Sequence, residues 1–332
     1  ALEEVVSQVS GWFPTAFNET GELIPSLPQF QHAFNGLVTL ADWIGSDDQF
    51  FPFLEDPKAD RIGFSREKAC RILELIGISS EKYRSIIRNN QPNFKETFGY
   101  ENPRPLQTEI CHLDIGDMVE SSERKGSIAI LEAETGAGKT EAAFLHYQRL
   151  LRSGKVDGLY FALPTRAAAT QIYERICEYV RNLFGENSPP VVQAVPGYIR
   201  VDREEPEKKL APFRYLWPDQ DRFRYRRWTG EHPKRYLAGS VVVGTIDQVL
   251  LSVLEVSHAQ MRFTALSRLL LVVDEVHASD IYMGRLLEEV LHRLTAAGGH
   301  ALLLSATLGA SVWNRYLLPA QTPVPDLKAA IG

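Results

Sequence analysis

The segment Leu131-Glu132-Ala133-Glu134-Thr135-Gly136-Ala137-Gly138-Lys139-Thr140 lies between an apolar run, Ile128 to Leu131, and a stretch of helical periodicity, Glu141 to Leu151. A buried strand, a glycine-rich turn and a helix in that order make a phosphate-binding loop. The backbone of Thr135, Gly136, Ala137 and Gly138 can turn its N–H groups onto phosphate oxygens, because glycines at 136 and 138 permit the turn. Lys139 reaches the terminal phosphates. Thr140 offers its hydroxyl to Mg²⁺ at a helix N-terminus whose dipole favours an anion. The general motif starts with Gly, and here that place is Ala133.

From residue 127 onward, short apolar runs alternate with helical stretches: Ser127–Leu131, Gly158–Leu163, Val191–Val195, Ser240–Val243, Leu269–Val273 and Ala301–Leu304. Several are continuously apolar, as strands buried on both faces of a parallel sheet must be. Between them, Arg166 to Phe184 carries Ile172, Ile176 and Val180 on one stripe behind Thr165 as cap. The pattern predicts a doubly wound α/β domain, whose ligands bind at the carboxyl ends of the strands.

Polar motifs fall at those ends. Asp274-Glu275-Val276-His277 follows the fifth run; Asp274 suits Mg²⁺, and Glu275 suits a general base that orients and deprotonates a water attacking a γ-phosphate. His277 would face Ser305-Ala306-Thr307 after the last run, where the hydroxyls of Ser305 and Thr307 can report nucleotide state to a partner lobe. Pro164-Thr165-Arg166 and Gly244-Thr245-Ile246-Asp247-Gln248 end two further runs, and their amides, hydroxyls and Arg166 suit phosphate contacts along a nucleic-acid strand. Upstream, Pro105-Leu106-Gln107 opens a helix behind Phe94, Phe98 and Tyr100. Gln107 could read an adenine edge with its paired donor and acceptor while an aromatic stacks on the ring.

The chain of 332 residues, 44 % hydrophobic, is long enough for two domains. No apolar run approaches the ~20 residues of a membrane span, and the N-terminus lacks the pattern of a signal peptide. Three scattered cysteines make no framework and no metal spacing, which points to a reducing, cytoplasmic setting. With a net charge of −6, nucleic-acid contact needs a local basic surface. Phe213 to Tyr236 holds seven basic against three acidic residues, with Tyr215, Trp217, Phe223, Tyr225, Trp228 and Tyr236 interleaved. It reads equally as a single-strand groove or as an insertion whose aromatics tuck onto the domain.

The first 60 residues are irregular in signal apart from a helical piece, Phe30 to Ile44, with Phe30, Ala33, Phe34, Leu37, Val38, Ala41 and Ile44 spaced as one face, broken by Gly36. His32 and Asp42 are its candidate chemical residues; from spacing alone both read as ordinary surface positions. Ser65 caps a predicted helix Arg66 to Ile76, and Ser79 or Ser80 starts another, Glu81 to Arg88. The tail from Pro319 reads as a linker.

Taken together, Pro105-Leu106-Gln107, Ala133 to Thr140, Pro164-Thr165-Arg166, Gly244 to Gln248, Asp274 to Asp280 and Leu304 to Leu308 resemble the first helicase lobe of the CRISPR-associated helicase-nucleases of type I interference. The loop form Ala-x-x-Gly-x-Gly-Lys-Thr is common in superfamily 2 helicases. Gly-Thr-Ile-Asp-Gln, and Asp280 three residues after His277, are more specific to that family. Independently, Gly36 to Asp47 resembles the last segment of its HD nuclease domain, whose aspartate helps hold metal. The resemblance implies a RecA-like doubly wound parallel sheet preceded by a mainly helical end of an HD domain, divided as 1–60 HD remnant, 61–103 helical linker, 104–318 RecA-like lobe and 319–332 linker. It implies ATP-driven movement on single-stranded DNA, ATP and Mg²⁺ as cofactors, and a divalent transition metal at the intact HD site with Asp42 as a ligand. The implied partners are single-stranded DNA and a target-bound Cascade surveillance complex with its crRNA, and no membrane. Two departures follow. The chain has no His-Asp dipeptide, and a second lobe with its arginine finger would lie beyond Gly332. The missing HD segment and second lobe would then come in cis or trans, the chain being a fragment, a processed piece or a split subunit. An RNA helicase of the Asp-Glu-x-His group, and a nucleotide-gated binding module without motor activity, are the alternative readings.

Overall fold

Six runs of apolar residues can be buried on both sides only if helices cover both faces of the sheet they form. The computed structural model, which describes residues 2–17, 25–53, 60–90, 92–112, 126–209, 214–216, 218–276, 281–307 and 316, has that form. Its strands are β1 (Ser127–Glu132), β2 (Gly158–Leu163), β3 (Val191–Ala194), the short antiparallel pair β4 (Glu207–Lys209) and β5 (Arg214–Leu216), then β6 (Val241–Thr245), β7 (Leu269–Val273) and β8 (His300–Ser305). The main sheet is wholly parallel in the order β1-β8-β7-β2-β6-β3. All residues of β2, β3, β6, β7 and β8 are buried, whereas β1, at one edge, is only alternately so.

Twelve α-helices are described: α1 (Leu2–Trp12), α2 (Pro28–Gly45), α3 (Arg61–Leu75), α4 (Glu81–Asn89), α5 (Phe94–Phe98), α6 (Pro105–His112), α7 (Lys139–Arg152), α8 (Arg166–Phe184), α9 (Gln220–Arg226), α10 (Ile246–Leu250), α11 (Ala259–Ser267) and α12 (Ile281–Ala296). Strand alternation sorts the core into two layers. Leu159, Phe161 and Leu163 pack with Phe144, Tyr147 and Ile176 of α7 and α8, whereas Tyr160 and Ala162 pack with Leu266, Leu287 and Leu291 of α11 and α12. Register aligns Glu132 with Ser305, Leu163 with Thr245 and Ala162 with Val273, so the carboxyl ends of five strands share one rim.

The six strands of the main sheet lie within two residues of the predicted runs, β4 and β5 match none of them, and α8 has the predicted bounds, with Thr165 Oγ1 accepting from Ala168 N at 3.2 Å. Several local expectations fail. The N-terminal stretch that reads as irregular forms α1. Helix α3 starts at Arg61, capped by Asp60, whose carboxylate accepts from Gly63 N at 2.9 Å; Ser65 lies inside it. Ser80 precedes α4 but gives its hydroxyl to Asp157 Oδ1 at 2.9 Å instead of capping. On α2 the buried residues are Gly36, Leu40 and Ile44, while Phe34 and Leu37 of the predicted face are 52 % and 56 % exposed. The cause is Gly36: a Cβ there would overlap Thr264 Oγ1 and the Gln260 carbonyl of α11, so its absence lets the two helices touch backbone to side chain. Thr264 Oγ1 donates to Ala33 O at 3.1 Å, and Asn35 Nδ2 bonds Gln260 Oε1. His277, Ala278, Ser279, Asp280 and Leu308, with the expected linker 319–332, lie outside the described residues. Among the described residues no helix is long and apolar enough to cross a membrane.

Candidate functional site

The rim formed by the strand ends carries the residues that follow β1, β7 and β8. Between β1 and α7 the loop starts with Ala133 N donating to Ser305 O at 3.1 Å, which ties it to the end of β8. Gly136 and Gly138 then take φ of +82° and +90°, values that L side chains rarely adopt. Gly138 is the N-cap of α7, and the first helical residues are Lys139 and Thr140. Lys139 Nζ donates to Ala133 O at 2.8 Å, folding the lysine over its own loop, and Thr140 is buried.

Helix α6 and the residue that precedes it brace both glycines. Gln107, 3 % exposed, donates from Nε2 to Gly138 O at 3.3 Å and accepts at Oε1 from Arg104 N at 2.8 Å. The Arg104 guanidinium donates to Gly136 O. The donor–acceptor pair of Gln107 is therefore engaged with backbone in this arrangement.

At the end of β7, Asp274 N donates to Ala162 O at 2.9 Å, and Glu275 N donates to Asp274 Oδ1 at 2.9 Å. Glu275 has φ of +53°, a left-handed conformation that costs a non-glycine residue about 1 kcal/mol or more and is typically retained where function needs it. Both carboxylates line a cavity of about 430 Å³ with Thr135, Gly136, Gly138, Lys139, Thr140 and Gln107. Phosphate donors, a hydroxyl and two carboxylates around one space fit a triphosphate with a hard divalent cation. Ala137, Ser305 and Thr307 do not line it; Ser305 is buried with Oγ donating to Thr307 O at 3.0 Å.

Sequence reasoning missed the remaining walls: Asn102 and Arg104 before α6, and Gln171 and Arg175 on α8. Glu141, in the first turn of α7, is 4 % exposed; it pairs with Arg175 and accepts from Tyr179 Oη at 2.6 Å. Burial works against the Arg175 charge, but the Tyr179 hydroxyl and the Glu141 carboxylate outweigh it and raise its pKa. Burial first, then Glu141, pushes the Tyr179 phenol well above its usual value. The available signal was a Gln and an Arg four residues apart beside the buried Ile172 and Ile176 stripe.

The other strand-end residues divide. Thr165, Arg166 and Asp247 are exposed, and Pro164 is half-buried. Gly244, Thr245 and Gln248 are buried, the last two at 3 % and 4 % exposure, with Tyr160 Oη donating to Thr245 O at 3.0 Å and Arg262 Nη1 to Gln248 Oε1 at 3.4 Å. In the basic segment, Phe223, Trp228 and Tyr236 are core residues. Tyr225 stacks on Phe50 at 5.8 Å, and Arg235 lies over Trp228 at 4.6 Å and Trp43 at 5.9 Å. Of its two readings, these residues follow the tucked one; the side chains of Tyr215 and Trp217 lie outside those described.

Asp42 is exposed on α2 and accepts from Ser46 Oγ at 3.3 Å. Among the described residues no group of three or more His, Cys, Asp or Glu could hold a metal ion, so the donors present around Asp42 do not fit one. A larger cavity, about 900 Å³, lies between α2, α11 and α12. It holds none of the strand-end motifs, so the smaller cavity is the chemical candidate.

Comparison with known proteins agrees with this geometry. Residues 101–308 match the family described as type III restriction enzyme, res subunit, and residues 1–51 match the family described as Cas3, HD domain. The chain is 33 % identical over 320 residues to the CRISPR-associated endonuclease/helicase Cas3 of Escherichia coli (strain K12), covering 93 % of this chain and 33 % of that protein. It is 30 % identical over 305 residues to the CRISPR-associated nuclease/helicase Cas3 of Streptococcus thermophilus, covering 89 % and 31 %. Crystalline T. fusca Cas3-ADP superposes with a TM-score of 0.66 at 26 % identity, over 89 % of this chain and 33 % of that one. A chain of a CRISPR RNA-guided surveillance complex, pre-nicking, gives 0.54 at 25 % identity, over 90 % and 29 %. The chain thus spans about a third of the length of the curated relatives it matches.

Proposed function

Because the chain belongs to the helicase family described as type III restriction enzyme, res subunit, and carries that lobe behind the end of an HD domain as the Cas3 helicase-nucleases do, we propose that it is the ATP-binding first motor lobe of a DNA translocase that moves along a displaced single strand and feeds a nuclease. The observation that supports this most is the convergence of the glycine loop, Asp274, Glu275 and Gln107 on one cavity.

In this reading the N–H groups of Thr135 to Thr140 and the Lys139 ammonium bind the phosphates of ATP. Thr140 and Asp274 would hold Mg²⁺, whose chemistry there would be to neutralise phosphate charge. Glu275 orients the attacking water and takes its proton. Lys139 leaves the Ala133 carbonyl to reach the γ-phosphate, and Gln107 exchanges its bond to Gly138 for the adenine edge. Ser305 and Thr307, tied to the loop through the Ser305 carbonyl, pass the state of the loop to a second lobe, and His277 takes part in that relay. Thr165, Arg166 and Asp247 face the strand, with Pro164 shaping the turn; Gly244, Thr245 and Gln248 act from beneath by holding that surface. The division 1–60, 61–103, 104–318 and 319–332 is part of the same proposal.

Asp42 becomes a ligand of a divalent transition metal only when histidines and a His-Asp pair from another segment join it. The half-exposed Phe34, Leu37 and Val38 face of α2 is then the surface that such a segment covers. A cytoplasmic setting, recruitment by a Cascade complex with its crRNA, and an arginine from a second lobe complete the proposal. Such an arginine is worth roughly 10³ to 10⁵ in rate in related phosphoryl transfer. The test is ATP hydrolysis by the chain with and without single-stranded DNA, with Lys139→Ala as blank. Slow turnover that rises only when a second lobe is added supports the proposal, and fast turnover by the chain alone contradicts it.

A further inference from the structure

Two walls of the cavity beside the loop come from no phosphate-binding or strand-end motif. One is the stretch before α6, with Phe94, Tyr100, Asn102 and Arg104; the other is the middle of α8, where Gln171, Ile172 and Arg175 line the same space as the loop. Arg175 is held from behind. Its guanidinium pairs with Glu141, whose side chain is 5 % exposed, donates to Tyr179 Oη at 3.3 Å and lies 6.0 Å from the Tyr179 ring. Among the described residues its hydrogen bonds all run through Nη2, and its side chain stays 39 % exposed. Tyr179 meets Phe98 edge-on at 4.8 Å, and Phe98 meets Phe94 at 4.9 Å. Arg175, Tyr179, Phe98 and Phe94 therefore form one continuous row, both ends of which line the cavity.

We infer that Arg175 is a base-stacking residue of the nucleotide site, its guanidinium plane lying against the purine ring while the phosphates occupy Gly136 to Thr140. The inference rests on the nucleotide reading above and adds a residue that sets selectivity within it. A planar cation held over a planar π-system gains both cation–π and stacking energy, which an ammonium gains only in part. Glu141 and Tyr179 fix the guanidinium before any ligand arrives, so its ordering cost is met in folding and not in binding. Glu141 follows Thr140 directly in α7, so the wall for the base and the cradle for the phosphates move as one unit.

The test compares two probes, ATP-Mg²⁺ and the base-free tripolyphosphate-Mg²⁺, titrated into the 332-residue chain and its variants. Arg175→Ala would leave Glu141 buried without its cation and could unfold the site. Arg175→Lys keeps a cation for Glu141 and removes the plane, and its thermal unfolding is recorded alongside. The expected result is ATP affinity reduced roughly 3- to 30-fold in Arg175→Lys, with tripolyphosphate affinity within about twofold of the parent and Lys139→Ala defective for both probes. Equal losses for the two probes, or no loss for either, overturn the inference while leaving the nucleotide reading intact. A parent chain that takes up neither probe, or an undiminished Lys139→Ala, overturns that reading and this inference with it.

Discussion

Replacing Gly138 by alanine perturbs two parts of the site that lie far apart in sequence, and the structure separates their contributions. At Gly136, φ is +82° and a Cβ would meet nothing within 4 Å. Gly136→Ala therefore carries only the left-handed backbone cost, about 1–2 kcal/mol. At Gly138, φ is +90° and a Cβ would overlap Gln107 Nε2, the atom that donates to the Gly138 carbonyl. Gly138→Ala carries the same backbone cost and also displaces a buried amide, losing about 1 kcal/mol of hydrogen bonding. At about 1.4 kcal/mol per decade, ATP affinity falls roughly 5- to 30-fold in Gly136→Ala and roughly 30- to 150-fold in Gly138→Ala, because the binding-competent loop is populated less. The excess belongs to the Gln107 contact, so in a Gln107→Ala background the two alanine variants should become equal. Fluorescent-nucleotide titration of the six proteins, which form two backgrounds of three, measures this. An excess that persists without Gln107, or equal losses with it, means that the Gln107 contact is not its source.

Other consequences are as direct. Asp274→Asn should weaken ATP binding at least tenfold in the presence of Mg²⁺ and change it little in EDTA, as measured by the same titration, because a lost cation ligand is felt only with the cation. Gly36→Leu forces α2 off Thr264 and Gln260 of α11 and should cost about 1–3 kcal/mol in denaturant unfolding, with faster proteolysis near residues 46–60. Burial, reinforced by Arg149 and by His300, lowers the His146 pKa to about 4 from 6.5. The unfolded chain thus binds more protons between those values, and stability is full above pH 6.5 and falls as pH drops towards 4, by up to about 3 kcal/mol. His146→Leu should remove that part of the acid slope in urea titrations at pH 7, 6 and 5, whereas an unchanged slope assigns it elsewhere.

The central sheet was legible because burial on both faces leaves a continuous apolar mark, and the strand-end motifs were legible because the chemistry of a phosphate loop fixes residue types at fixed spacing. The docking of α2 was not. Gly36 reads locally as a break in a helix face, and its use depends on Gln260 and Thr264, more than 220 residues away. Arg175 escaped for the same reason: on α8 it looks like any exposed helical arginine, and only the fold brings Glu141 and the cavity to it. The basic aromatic segment has the composition of a nucleic-acid groove, yet Phe223, Trp228 and Tyr236 are spent on the core beneath Phe50 and Trp43. Composition reports which contacts a segment can make, and tertiary packing decides which of them are used.

If the loop at residues 133–140 and the carboxylates at 274 and 275 form one nucleotide site, calorimetric titration of ATP-Mg²⁺ finds a single saturable site in the parent chain, lost in Lys139→Ala while its thermal unfolding stays unchanged. A parent chain that binds no nucleotide, or a Lys139→Ala variant that binds it equally well, shows that they do not.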